Sequence, residues 1–225
     1  MQRRNQTVII YSVNHMMCEA IKHLCNTSEN VNIYCICISD IKKLNTTLFY
    51  SNVSCVILDC NFREEAWLLY NFRLNYPTLP IIVMQDKFYF SDRVLATFFG
   101  FVCLREYDAA LAANSYISLV KINQHEAFSC YCLPGMMHRR VFDIFTASAL
   151  REFLNRLLHS RLAGLFSGRG ARMKIIEGLT QGLSAKDTGE YADVTYQVVY
   201  EHRQKIMKTL QIENYTREFI TSLTI

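Results

Sequence analysis

Tyr200, Glu201, Gln204, Lys205 and Lys208 crowd into one short stretch whose apolar residues recur at helical spacing. Val198, Val199, His202, Ile206 and Leu210 share the inner side of that helix, and the five polar residues are displaced toward its outer side. Side chains of these types carry a definite hydrogen-bonding chemistry. A glutamine amide pairs through two hydrogen bonds with an adenine edge and a glutamate accepts from cytosine. A tyrosine touches a thymine methyl or bonds a phosphate, and lysines meet phosphates. The plainer alternative is a solvated helix face on which Glu201 and Lys205 form an i,i+4 pair.

Nothing elsewhere in the chain offers a reaction centre. His202 has no catalytic company, and the sequence holds no Ser-His-Asp or Cys-His constellation, phosphate-cradling glycine loop or paired carboxylates, so an enzyme is not expected. The nine cysteines all fall between Cys18 and Cys132. Cys35/Cys37 and Cys130/Cys132 are separated by single residues, which is not the spacing of a structural zinc site, and no His pair follows. Neither a metal nor a cofactor is expected. Several cysteines sit inside apolar runs, where a reduced thiol acts as a small hydrophobe, so a cytoplasmic location follows.

The elements that must position these groups can be read from composition and pattern. In 225 residues, 51% are hydrophobic and 20% charged, enough for a real core in one larger or two smaller domains. The apolar run Val8 to Val13 is too short for a signal-peptide core or a membrane span, and no membrane partner is expected. A net charge of +4 hints only weakly at an anionic partner, because acidic residues nearly balance the final stretch.

In the first half, strand-like and helix-like segments alternate. Strands are expected at Thr7–Ser12, Asn32–Ile38, Ser54–Leu58, Pro80–Met84 and Phe101–Leu104. Helices are expected at Met16–Cys25, Asp40–Tyr50, Trp67–Tyr76, Arg93–Phe99 and Ala109–Ile122. Five strands alternating with helices imply an open, mostly parallel sheet covered on both faces, with working groups at the carboxyl ends of the strands.

At those ends the chain resembles a response-regulator receiver domain. Asp59 closes Val56-Ile57-Leu58-Asp59 where the resemblance places a phosphoacceptor, and Glu19-Ala20-Ile21 falls where a receiver's first helix has similar residues. The acidic pair that would hold magnesium is replaced by Ser12 and Val13. Gln85 stands at the hydroxyl position, and Leu104 or Arg105 at the lysine position. Phosphoryl transfer to a carboxylate needs a cation held by other carboxylates. Asp59 is therefore expected to be a vestigial phosphosite or a strand-end cap.

Asn123 to Leu165 reads as a linker containing a helix, Arg140–Arg161, preceded by a turn at Pro134-Gly135. The apolar face of that helix suits either packing on a domain or dimer formation. Four short helices then follow. The first holds Met173, Ile175, Ile176 and Leu179 and ends at Gln181-Gly182. The second is capped by Ser184, the third by Thr195, and the fourth runs Thr216–Leu223. A tight turn joins the second and third in the manner of a helix-turn-helix.

Leu179-Thr-Gln-Gly-Leu-Ser-Ala-Lys186 resembles the signature of LuxR/NarL-type regulators. Glu190, Val194, Thr195, Val199, His202, Ile206, Leu210 and Ile212 continue it without a gap. Departures are Gly168-Arg-Gly-Ala-Arg172 at the opening, Gly189 in the second helix and Gln211 in place of a common Gly. The resemblance implies that Tyr200, Glu201 and Gln204 reach base edges and that Lys205 and Lys208 meet phosphates. Lys186, Thr195 and Arg203 complete the DNA-facing set.

The expected architecture is thus an α/β receiver-like (flavodoxin-like, five-stranded parallel sheet) domain over residues 1–125 and a linker with a helix over 126–165. An all-α four-helix LuxR-type helix-turn-helix follows over 166–225. The implied function is a DNA-binding transcription regulator, independent of phosphorylation. Its partners would be double-stranded DNA and a second LuxR-type chain, in a homodimer or a heterodimer of the Rcs auxiliary kind. Two rival readings stay open: an interaction module that sequesters another regulator without touching DNA, and a small-molecule sensor.

Overall fold

The computed structural model describes residues 5–27, 32–50, 52–112, 146–166 and 170–225. The chain divides into two compact units, Met1–Phe88 with Ala96–Asp143, and Tyr89–Leu95 with Ile144–Ile225.

In the first unit, apolar β-branched runs build β1 (Asn5–Ser12), β2 (Asn32–Ile38), β3 (Val53–Asp59), β4 (Ile81–Gln85) and β5 (Val102–Glu106). They form one sheet in the order β2-β1-β3-β4-β5 with every pairing parallel, the flavodoxin-like arrangement. Helices α1 (His15–Asn26), α2 (Lys42–Tyr50), α3 (Ala66–Asn75), α4 (Phe90–Phe99) and α5 (Tyr107–Ala112) alternate with the strands, the residues of α4 up to Leu95 counting with the second unit. Asn14 starts α1, its side chain accepting from the Met16 and Met17 N–H groups at 3.0 and 3.4 Å. Cys55 to Leu58 of β3 are buried without interruption, as a central parallel strand covered on both faces requires. On one face Val8, Ile10 and Ile57 pack with Cys18, Ile21 and Cys25 of α1. Each buried aliphatic side chain of this kind is worth about 1.5–3 kcal/mol.

Arg73 holds the opposite edge together. Its guanidinium donates to the carbonyls of Tyr76 (3.1 Å), Leu79 (2.6 Å), Gly100 (2.8 Å) and Phe101 (3.0 Å), tying the turn after α3 to the turn before β5. Burial lowers its pKa to about 10.

Most boundaries shift by one or two residues, and those of α4, β5 and α5 have local causes. Helix α4 starts at Phe90 rather than Arg93, because the Asp92 carboxylate reaches back to the Tyr89 N–H at 2.8 Å. Strand β5 runs on to Glu106, since Arg105 and Glu106 pair with Met84 and Gln85. Helix α5 starts at Tyr107, and the part of it expected beyond Ala112 lies outside the described residues.

The second unit contains α6 (Ala147–Leu165), α7 (Ala171–Thr180), α8 (Ala185–Ala192), α9 (Tyr196–Leu210) and α10 (Tyr215–Leu223). Helix α6 begins at Ala147, with Thr146 extended and its hydroxyl accepting from the Ala149 N–H at 3.2 Å, and the part of the expected helix before Thr146 lies outside the described residues. Leu150, Leu154, Leu158 and Leu162 form its buried stripe. Leu158 and Leu162 join Ile175, Ile176, Val199, Ile206 and Phe219 in one core. The Asn155 side chain also pairs with both backbone groups of Ile225, at 3.2 and 2.9 Å. Cys130, Cys132, Pro134-Gly135 and Gly168-Arg169 lie outside the described residues.

Candidate nucleic-acid interface

Helix α9 is presented by two tight turns. After α7, Gly182 takes φ +80° and the Leu183 N–H returns to the Gly178 carbonyl at 3.0 Å. Ser184 then caps α8, accepting from the Asp187 N–H at 3.2 Å and donating to its carboxylate at 2.7 Å. At the end of α8, Asp193 is left-handed (φ 57°), and the Val194 N–H closes onto the Gly189 carbonyl at 2.9 Å. A Cβ at Gly189 would stand 2.8 Å from the Val194 carbonyl oxygen, so this turn packs against a position that only glycine fits without displacement.

Thr195 has the extended backbone of an N-cap, but among the described residues its hydroxyl makes no capping bond. At the other end Gln211 adopts φ 57°, and the Ile212 N–H reaches the Met207 carbonyl at 2.8 Å.

Val199, Ile206 and Leu210 bury one side of α9, with Val198 and His202 half-buried beside them. Tyr200, Glu201, Gln204, Lys205 and Lys208 are all exposed along the other side, as is Thr195 at its start. Lys186 is exposed near the start of α8. At about 1.5 Å per residue the 15 residues of α9 span about 22 Å, enough to lie in a major groove about 12 Å wide.

Two arginines brace this helix, and sequence spacing did not reveal either role. Arg172 of α7 donates from Nε to His202 Nδ1 at 3.1 Å and from a terminal nitrogen to the Phe166 carbonyl at 2.8 Å. An acceptor nitrogen facing a guanidinium must be unprotonated. Accordingly, burial first, then Arg172 and Lys205, lower the His202 pKa from its ordinary value. Arg203 is half-buried, its guanidinium carbon 4.4 Å from the ring centres of both Tyr200 and Tyr215. Tyr196 meets Tyr200 edge-on at 6.4 Å. The pairing of α9 with Tyr215 on α10 is a tertiary event, so no local signal announces it.

In the first unit, Asp59 stands at the end of β3, in register with Ser12 on β1 and Met84 on β4. Ser12, 2% exposed, places its hydroxyl 2.5 Å from Asp59 Oδ2 and accepts from the Asn14 N–H at 3.0 Å. The Tyr107 hydroxyl donates to Asp59 Oδ1. Burial first, then the bond to Asp59 and its charge, raise the Tyr107 pKa and keep this phenol a donor. The Gln85 side chain bonds the Phe62 N–H and the Lys87 carbonyl at 3.3 and 2.8 Å. Tyr107 lies two residues past Arg105, beyond the expected end of β5, and for that reason the sequence pattern missed it. Among the described residues no group of three or more His, Cys, Asp or Glu side chains is placed to hold a metal ion.

Solved structures that match over the whole chain include three of RcsB. A complex of the two-component response regulator RcsB with DNA aligns with TM-score 0.60 and 14% identity, covering 98% of this chain and 100% of that one. A structure of two RcsB dimers bound to two parallel DNAs aligns at TM-score 0.58, with 14% identity and the same coverage. RcsB from Salmonella enterica serovar Typhimurium, bound to promoter P1flhDC with the phosphomimetic BeF3-, aligns at 0.56 with 16% identity, covering 98% of each chain. The fold is a flavodoxin-like unit followed by a LuxR-type helix-turn-helix. No family model and no curated protein matches the chain. Asp59, Ser12 and Tyr107 sit at the carboxyl ends of the strands in the first unit, and α9 is the third helix of the helix-turn-helix. Among the described residues no helix is long and apolar enough to cross a membrane.

Proposed function

We propose that this chain is a sequence-specific transcription regulator that inserts α9 into the major groove of double-stranded DNA. One observation carries the reading: α9 buries Val199, Ile206 and Leu210 while an unbroken polar row faces solvent, in the fold of regulators solved on DNA. Tyr200, Glu201 and Gln204 read base edges, Lys205 and Lys208 meet phosphates, and Lys186 at the start of α8 and Thr195 ahead of α9 contact the backbone. Arg203 serves the same surface by stacking under Tyr200 and fixing its ring.

The protein acts as a dimer, with itself or with another LuxR-type chain, as Rcs-type auxiliary regulators do, because one helix in one groove confers limited specificity. Its functional divisions are 1–125, 126–165 and 166–225, and it works in the cytoplasm. Control does not pass through phosphorylation of Asp59, since Ser12 and Tyr107 already occupy both carboxylate oxygens. Selection of bound fragments from a genomic DNA pool by the full chain, alone and with candidate partner regulators, tests this. Enrichment of paired half-sites is expected. Failure to retain DNA in every combination, with tight binding to another regulator, would instead favour sequestration.

A further inference from the structure

Four cysteines of the first unit lie between α1 and the edge strand β2. Strand β2 pairs in register with β1, Cys35 opposite Val8 and Cys37 opposite Ile10. Val8 and Ile10 pack on Cys18, Ile21 and Cys25 of α1, and residues in register on neighbouring parallel strands point to the same face. Cys35 and Cys37 therefore face α1. Cys18 and Cys25 are seven residues apart, two turns along one face of that helix. A crossover helix runs back against its strands, so its beginning lies over the end of β2 and its end over the beginning. The thiols are neighbours accordingly, Cys18 with Cys37 and Cys25 with Cys35. All four are free thiols.

The two pairs differ in access. Cys37 is exposed at the sheet edge, whereas Cys35 is half-buried and Cys18 and Cys25 are buried. Burial first, then the neighbouring Cys37, push the Cys18 thiol up to about 12. Lys22, one helical turn beyond Cys18 and half-buried, pairs its ammonium with Glu19 at 3.4 Å on the same helix. An accessible sulfur beside a buried second thiol has the make-up of an oxidisable cysteine with a resolving partner.

We propose that Cys18 and Cys37 form a reversible dithiol–disulfide site, oxidised by hydroperoxides, that cross-links α1 to β2. The Cys37 thiolate attacks the outer peroxide oxygen; an S–O bond forms, the O–O bond breaks, and the departing alkoxide takes up the thiol proton as an alcohol. Cys18 sulfur then attacks the sulfenic sulfur; the S–S bond forms, the S–O bond breaks, and hydroxide leaves with the Cys18 proton as water. The two sulfurs supply the two electrons that reduce the peroxide. The Cys25/Cys35 pair, with no exposed sulfur, stays reduced at stoichiometric oxidant.

The test uses the full chain, reduced, freed of reductant and given stoichiometric hydrogen peroxide. Remaining thiols are then alkylated and peptides mapped without reduction. The first product expected is a Cys18–Cys37 cross-linked peptide, lost on treatment with a dithiol. Cys18→Ser should accumulate a Cys37 sulfenic acid that a cyclic dione traps, and Cys37→Ser, at an exposed position, should abolish the cross-link. A wild-type chain whose Cys37 stays alkylatable after peroxide would overturn the proposal. So would Cys37 joined to any other cysteine, or a Cys25–Cys35 cross-link that forms first.

Discussion

The Ser12 hydroxyl lies 2.5 Å from Asp59 Oδ2, at a strand end where a receiver would hold magnesium with carboxylates. A hydroxyl donor neutralises part of the Asp59 charge but brings no second anion to bind a cation, and Tyr107 covers the other oxygen. Asp59→Ala should leave DNA affinity and reporter output within about twofold of wild type. An acyl-phosphate donor or beryllofluoride with magnesium should not change the sedimentation profile. Dimer formation driven by either reagent in the wild type but not in Asp59→Ala would show a live phosphosite.

His202 couples the helix-turn-helix to pH. Its pKa is lowered in the folded chain, so below the ordinary value of 6.5 the unfolded state takes up a proton first. Stability is therefore full above that value and falls as pH drops through the folded pKa. Thermal unfolding between about pH 8 and pH 5 should show a steeper loss in wild type than in His202→Gln. Parallel curves would mean that the Arg172–His202 bond is not proton-linked.

Gln211 and Gly189 make opposite backbone demands. Gln211 carries a side chain at φ 57°, so Gln211→Gly should raise stability by about 1 kcal/mol. Gly189→Ala must push a Cβ away from a backbone oxygen at 2.8 Å and should lower it by about 1–3 kcal/mol, against a helix-propensity gain of at most about 1. Urea midpoints of the two variants, moving in opposite directions, are the check.

Arg73 has no carboxylate partner in its bonds to four carbonyls. Arg73→Met should leave those oxygens unsatisfied and cost about 3 kcal/mol or more, read from chemical denaturation of the full chain. A loss below about 1 kcal/mol would mean that water replaces the guanidinium without penalty.

Much of this was legible in the sequence because it is local. Apolar runs marked every strand of the sheet, Ser184 and Gly182 marked the turn between α7 and α8, and helical spacing separated Val199 and Ile206 from Gln204 and Lys205. Contacts between distant segments were not legible. Tyr107 reaches Asp59 across 48 residues, Arg172 reaches His202 across 30, and Arg203 stacks on a tyrosine of the next helix. Thr195 illustrates the opposite case: residue type and backbone fit a cap, while the residue is exposed and its side chain makes no capping bond.

The central claim, that α9 reads DNA sequence, is tested most directly by titrating the full chain on its selected site and on unrelated duplex over a range of salt. Wild type, Gln204→Ala and Lys208→Ala are compared. Affinity should fall steeply with salt. Gln204→Ala should lose about 1–3 kcal/mol on the selected site alone, and Lys208→Ala should weaken both duplexes alike and reduce the salt slope by about one. Equal effects of the two substitutions on both duplexes, or wild-type binding indifferent to salt, would contradict the assignment of α9 as the reading helix.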